Sequence, residues 1–485
     1  MCRYFNKRCG NLHCSSGLRQ SCSTQMHPSL RFLSIIFGFL AVASLPWGAV
    51  FAESSPENAA AEIAARIKAP EFAKRDFVIT DHGATPGKDC TAAITGAVAA
   101  CHAAGGGRVV VPPGVWLTGA VHLKSNVNLH LAEGATLKFP FEPAKFLPSV
   151  LTRFEGIECM NFSPLIYAFG QENVAVTGKG TLDGSATWET WWAWNDKSRG
   201  ETKQTPDRKR LDQQGTDGTP VAERTYGDGH FLRPSFIQPY RCKNVLIGGV
   251  TILNSPMWEI HPVLCTNVTV RGVTVRSLGT NNDGCDPESC RDVLIEDCVF
   301  ETGDDCIAIK SGRNNDGRRV GVPSENIVIR RCTMKDGHGG VTMGSEISGG
   351  VRNVFVSDCK MDSPNLERAF RFKSNAVRGG VIEHVQIRDV KIGQVKKAVL
   401  SVEFDYEEGA NGPHKPVLRD VRIENVTSES SGSVTIITAF PGAVIEGVVF
   451  DHCAFRGVKA ADTIRSATAP VMKNVTVERL KEEKK

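Results

Sequence analysis

Four short polar stretches carry the residue types that acid–base chemistry on an acidic substrate needs. They are TNNDGCD with Asp283, TGDDCIAIKSG with Asp304 and Asp305, KDGHGG with His338, and RAFRFKSN with Arg371 and Lys373. Asp304 and Asp305 are adjacent, and the run behind them, Cys306 to Ile309, is apolar enough to be buried. Ionised carboxylates repel one another, and taking either out of water without a partner costs several kcal/mol. Crowding of this kind has a chemical use. It raises the pKa of one carboxyl, which keeps its proton as a general acid, while its neighbours stay ionised and activate water. Glycoside hydrolysis needs such a pair. Carboxyl groups about 5 Å apart suit a covalent nucleophile, and roughly 6.5–9.5 Å leaves room for water and inversion. Arginine and lysine beside them would bind a substrate carboxylate, one as a planar fork and the other as a point charge. Singly, each stretch has an ordinary explanation as a solvated turn or an exposed strand, so their placement in space decides.

That placement comes from an internal repeat. KNVLI (243–247), TNVTV (266–270), RDVLI (291–295), ENIVI (325–329), RNVFV (352–356), EHVQI (383–387), RDVRI (419–423) and KNVTV (473–477) share one pattern. Each is an Asn, Asp or His followed by alternating β-formers, and the closest copies stand 23, 25 and 27 residues apart. No segment of helical length and period lies between them, so βαβ architecture is disfavoured. A period of 20–30 residues with several short strands describes one coil of a parallel β-helix. Each coil stacks on the next at about 4.8 Å. The Asn/Asp/His position is expected at a turn. A β-propeller, with longer and more even blades, is the rival.

Counted from the repeat Asn or Asp, Asp283 stands sixteen positions on, Asp304 and Asp305 twelve and thirteen, His338 twelve, and Arg371 and Lys373 eighteen and twenty. All fall late in successive coils, which predicts one stripe with acids at one end and cations at the other. The same register places Cys242, Cys265 and Cys290 two residues before the repeat position, and Cys298, Cys332 and Cys359 six after it. These predict two stacked columns of thiols packed in or near the core, with disulfides between adjacent members as the alternative. No paired CxxC motif supports a zinc site. At the N-terminal end, residues 91–107 read as a helix running into a glycine stop, which would cap the open end of the stack.

The motifs NNDG (281–284), GDD (303–305), GHG (337–339) and RFK (371–373), in this order on a repeat of this kind, resemble the polygalacturonases of glycoside hydrolase family 28. The similarity runs from about residue 77 to 455 and includes RPSFIQPYRCKNVLI, NSPMWEIHPV and SGR…DGRRVGVPSENIVIR, which look like the bacterial, often exo-acting, branch. The resemblance implies an all-β fold, a right-handed single-stranded parallel β-helix with an N-terminal capping helix. It implies inverting hydrolysis of α-1,4-galacturonosyl linkages in polygalacturonate. Asp304 then matches the general acid, Asp283 and Asp305 the carboxylates that activate water, and His338 the histidine that tunes them. Arg371 and Lys373 match the pair gripping a galacturonate carboxylate, and Tyr406, in VEFDYEEG, a substrate-contacting tyrosine. No metal or cofactor is expected. Asn282, Ala369 and Phe372 depart from the family's usual Thr, Gly and Ile or Met. A rhamnogalacturonan hydrolase and a non-catalytic carbohydrate-binding β-helix remain alternatives. A calcium-dependent pectate lyase shares the scaffold but would not need the GDD and GHG combination.

Composition bounds the rest. Residues 1–52 read as a secretory leader ending in Val50-Phe51-Ala52, with Met26 giving it a normal length and a retained membrane anchor as the alternative. That leader holds five of the 57 Lys and Arg and none of the 53 acids, leaving 52 basic against 53 acidic side chains. The apparent basicity therefore belongs to the leader, and no nucleic-acid or membrane partner is expected for the mature chain. Residues 53–76 read as a linker and 77–485 as the catalytic β-helix, in a periplasmic or extracellular enzyme whose partner is polygalacturonate or an oligogalacturonide. One irregularity bears on specificity: 71 residues separate Asn173 from Asn244, about three times the tightest repeat spacing. The excess includes ATWETWWAWNDK, with Trp188, Trp191, Trp192 and Trp194, and is expected either to stack on sugar rings or to pack down as a wall across one end of the groove.

Overall fold

A computed structural model describes residues 56–199 and 202–480. The expected leader, residues 1–52, lies outside the described residues. Alternating β-formers in each repeat copy produce strands that pair in parallel, coil upon coil, into a 13-stranded sheet, a 12-stranded sheet and a third face in runs of three and six strands. Val245, Val268, Val293 and Ile327 stack in one register column, and Ile247, Val270, Ile295 and Ile329 in another. All eight are buried. The alternation of period two thus sends one face of these strands into a continuous apolar core. This is the expected parallel β-helix.

The open N-terminal end is covered as expected. Helix α1 (Pro56–Arg66) lies within the stretch read as a linker, and helix α2 (Thr91–Ala103) caps the stack. Ile94, Ala97, Val98 and Cys101 of α2 are buried in the main core, and Gly105 and Gly106 after it take the left-handed backbone that stops the helix. Helix α1 docks elsewhere. Ile63 and Ile67 cover Leu294 and Val328 on the outer face of the largest sheet, and Arg66 pairs with Asp292 at 2.6 Å. Helix α3 (Gln204–Asp217) lies in the long insertion before Asn244. Among the described residues no helix is long and apolar enough to cross a membrane. The twelve cysteines among them are buried and free. Bonds run along one column: the Cys242 amide donates to Cys265 Sγ and the Cys265 amide to Cys290 Sγ, both at 3.4 Å.

The repeat Asn/Asp/His does more than mark a turn. Asn126, Asn173, Asn244, Asn267, Asp292, Asn326, Asn353 and His384 all take φ between 50° and 65°, the left-handed region that asparagine tolerates best among residues with a side chain. Their side chains then bond from coil to coil. Asn244 donates to Asn173 at 2.9 Å, Asn267 to Asn244 at 2.7 Å and Asn353 to Asn326 at 3.0 Å. Asn326→Ala should therefore destabilise the protein by about 2 kcal/mol, through lost ladder bonds and strain at positive φ. Asn326→Gly should recover the strain component and lose only the bonds. Denaturant unfolding of the two variants checks the order, and an alanine variant no less stable than the glycine one would contradict it.

Candidate active site

Three strands of the third face set the catalytic geometry: β1 (Ile307–Ile309), β2 (Val341–Met343) and β3 (Arg368–Lys373), adjacent in that order. Ala308, Thr342 and Arg371 share a register column, and Ile309, Met343 and Phe372 the next. Alternation buries Ile307, Ile309, Phe370 and Phe372 in the core and turns Arg371 and Lys373 to the other face. The bridge between Cys285 and Ile307 puts Asp283 one coil below Asp305. Asp283, Asp304, His338, Arg371, Lys373 and Tyr406 consequently line one cleft of about 440 Å³. Carboxylate oxygens of Asp283, Asp304 and Asp305 lie within 4.8 Å of one another.

The adjacent aspartates point different ways. Asp304 faces the cleft and bonds His338 Nδ1 at 2.8 Å. Asp305 is fully buried, accepts from Lys373 Nζ at 2.7 Å, and has the Arg371 guanidinium 3.7 Å from its other oxygen. Gly339, in the GHGG stretch, leaves room for this: a Cβ there would come within 2.8 Å of Asp305 Oδ1 and 2.3 Å of the Thr342 hydroxyl. Burial would raise the Asp305 pKa, but Lys373 and Arg371 hold it far below the usual carboxylate range. Asp283 behaves in the opposite way. Burial first, then the charge of Asp304, pushes it up to about 8, with Lys310 opposing. The bond to Asp304 outweighs burial and raises the His338 pKa. Asp305 is thus biased towards its ionised form and Asp283 towards its protonated one, a split that the sequence pattern does not show.

The cations are already paired. Arg371 also donates to Glu403 at 2.8 Å, and Arg371 and Lys373 sit 5.8 and 5.5 Å from the Tyr406 ring centre. Among the three aspartates positive charge comes from side chains: Lys373 lies 2.7 Å from Asp305 and Lys310 3.4 Å from Asp283. Sequence reasoning missed Lys310, Glu346, Trp258 and Glu403. Lys310 stands five residues after Asp305 and one after β1, so the alternation that exposes Arg371 and Lys373 to the cleft was the available signal. Asn282, where the family favours Thr, holds the Asp283 loop. It accepts from the Ser277 hydroxyl and the Gly279 amide and donates to the Ser255 and Met257 carbonyls, all between 2.8 and 3.0 Å. The departure at Phe372 is a core substitution.

The tryptophans pack rather than face the cleft. Trp191, Trp192 and Trp194 are buried, with Trp191 edge-on to Phe141 and Trp194, and Trp192 donating to the Ser255 carbonyl at 2.8 Å. Trp188 is 50% exposed and does not line the cleft. What they pin down reaches it: Asn195, Lys197, Gln204, Thr205 and Arg208 line the cleft from the insertion. Arg208 bonds Glu155 at 2.5 Å and lies 3.6 Å from Glu407 on the loop that carries Tyr406.

A parallel β-helix that gathers three carboxylates and two cations at one cleft is the scaffold and charge set of a glycoside hydrolase, and sequence comparison gives the family. Residues 211–474 match the glycosyl hydrolases family 28, and the chain belongs to that family. It is 42% identical to a hyperthermoactive exopolygalacturonase of Thermotoga maritima, with a TM-score of 0.84 over 87% of this chain and 96% of that one. It is 28% identical to a probable polygalacturonase of Vitis vinifera over 72% of this chain and 66% of that protein. It is 26% identical to an exo-poly-alpha-D-galacturonosidase of Dickeya chrysanthemi over 71% of this chain and 60% of that protein. The chain thus spans 66% and 60% of the lengths of these two relatives.

The Asp283 proton generates a pH prediction. It is present below about 8 and lost as pH rises through that value, leaving the triad without it. Activity should therefore fall on the alkaline side with an apparent pKa of about 8. A kcat/KM profile that stays flat well above that pH would contradict the assignment.

Proposed function

We propose that the protein hydrolyses α-1,4-galacturonosyl linkages of polygalacturonate by acid–base catalysis, releasing a small product from chain ends. The observation that carries this is the convergence of Asp283, Asp304, Arg371 and Lys373 in one cleft, with the Asp305 carboxylate buried against them within 4.8 Å of the other two. Asp304, the member turned to the cleft beside His338, donates a proton to the glycosidic oxygen. Asp283 and Asp305 hold the water that attacks the anomeric carbon. Burial and Asp304 favour a proton on Asp283, so activating water requires that proton to pass to Asp304, within a triad whose oxygens are within 4.8 Å of one another. Arg371 and Lys373 exchange part of their pairing with Glu403 and Asp305 for the sugar carboxylate, and Tyr406 packs beside them.

Carboxylate spacing and stereochemistry pull apart here. The nearest oxygens lie within 4.8 Å, which by distance alone suits a covalent nucleophile better than the roughly 6.5–9.5 Å of inverting enzymes. Nearest-oxygen distances understate the separation of whole carboxyl groups, and Asp305 is bound to Lys373 in a buried position that weakens it as a nucleophile. Inversion is therefore the favoured outcome. Attack at chain ends is supported by the insertion pinned by Trp191, Trp192 and Trp194, which brings Asn195, Lys197 and Gln204 to the cleft. The leader-like residues 1–52 and an extracellular polysaccharide substrate together favour a periplasmic or secreted location.

Asp304→Asn should reduce turnover by at least about a hundredfold while leaving substrate binding largely intact, because the carboxamide keeps the shape and cannot give up a proton. Near-normal turnover in that variant would refute its role. Polygalacturonate digested in the presence of chelator should give one small saturated product, inverted at the anomeric carbon by early NMR, with viscosity falling slowly relative to reducing ends. A ladder of mid-sized oligomers would mean an open cleft, an unsaturated product would mean a lyase, and no product would favour a binding module.

A further inference from the structure

The GDDCIAIKSG stretch ends on a lysine that the acid–base assignments leave unused. Lys310 follows β1, and it is buried at the cleft floor. Its column continues through Gly344 to Lys373, two coils on. Lys310 Nζ lies 3.3 Å from Glu346 Oε2, 3.4 Å from Asp283 Oδ2 and 3.8 Å from Asp286 Oδ1, and 4.4 Å from the Trp258 ring centre. Burial opposes the charged form, but Glu346, Asp283 and Asp286 hold the ammonium protonated well beyond the ordinary lysine range.

The acids around it are unequal. Both Asp286 oxygens and both Glu259 oxygens are buried without a hydrogen-bond partner, and burial pushes both groups well above the usual carboxylate range. Glu346 is held far below it, against burial, by Lys310, Arg378 and Arg313. Asp283 and Glu346 are thus the two carboxyls that divide one ammonium. The other charged groups facing Asp283 are Asp304 and Asp305 from the segment before β1 and Lys373 from β3, with Asp286 and Glu259 behind it.

We infer that Lys310 is a positioning residue for the reaction: its ammonium pins the Asp283 carboxylate to the cleft floor and favours its ionised form, the form that takes a proton from water. The inference rests on the hydrolytic function proposed above. Glu346 is the counterweight, drawing the same ammonium away from Asp283.

Three variants test it. A cation beside a carboxylate lowers its pKa, so removing the cation raises it. Lys310→Met should lower kcat at the wild-type optimum by on the order of tenfold or more. It should also shift the pH–rate profile about one unit to the alkaline side. Lys310→Arg should keep the wild-type limbs, and Glu346→Gln should move them to the acid side by freeing Lys310 for Asp283. A lysine that merely fills space would lower thermal stability without moving the limbs. Unmoved limbs in the Met and Gln variants overturn the inference, as does an Arg variant that shifts as far as Met. Should the Met variant not fold, the Gln variant decides alone. Carbon-13 NMR titration of Asp283 in the substrate-free protein separates this inference from the choice of substrate. An upward shift in Lys310→Met, or a downward one in Glu346→Gln, supports it even if polygalacturonate is not cleaved. No shift overturns it even if polygalacturonate is.

Discussion

The in-register backbone pairing of parallel coils is the constraint on which everything else rests. Once Lys243 is opposite Thr266, and Thr266 opposite Arg291, every later residue of a coil is committed to a column. A one-residue slip would send the valine and isoleucine columns outward and the site residues inward. The Asn ladder opposes such a slip, because its residues must occupy left-handed backbone and bond the neighbour above or below. Register therefore acts as both the stabilising device of the fold and the ruler that spaces the site.

Charge arrangement at the site follows from this ruler. Coils about 4.8 Å apart bring carboxylates from neighbouring turns close enough to share protons and ammonium groups. Asp305 and Asp283 are chemically identical and one coil apart, yet Lys373 and Arg371 push one carboxyl's pKa down while burial and Asp304 push the other's up. The difference lies in which cations reach each group. Lys373 reaches Asp305 across two coils at 2.7 Å, and Gly344, between Lys310 and Lys373 in the column, adds no side chain to obstruct either.

The insertion before Asn244 solves a different problem. A β-helix groove is open at both ends unless something is built across it. Trp191 and Trp194 anchor the insertion in the main core, and Arg208 ties α3 to Glu155 and Glu407. Rigid aromatic packing holds polar residues such as Asn195 and Gln204 at the cleft, while Trp188, Trp191, Trp192 and Trp194 do not line it.

Sequence alone determined the repeat, the fold class, the capping helix over residues 91–107 and the membership of Asp283, Asp304, Asp305, His338, Arg371 and Lys373 in one stripe. These follow from local pattern: strand alternation has a fixed period, and stacking converts equal spacing into spatial columns. The thiol columns of Cys242, Cys265 and Cys290 were legible for the same reason. Tertiary structure decided what spacing cannot encode. That α1 would dock on Leu294 and Val328 depends on an apolar patch created only when strands far along the chain pair. That the tryptophans would turn to the core depends on Phe141, Phe146 and Phe162 waiting there. The protonation of Asp283 and the part played by Lys310 depend on burial and on distances to Asp286 and Glu346 from other coils. Electrostatic energies vary with those distances and with exclusion of water, and both are properties of the folded stack, not of any stretch of sequence.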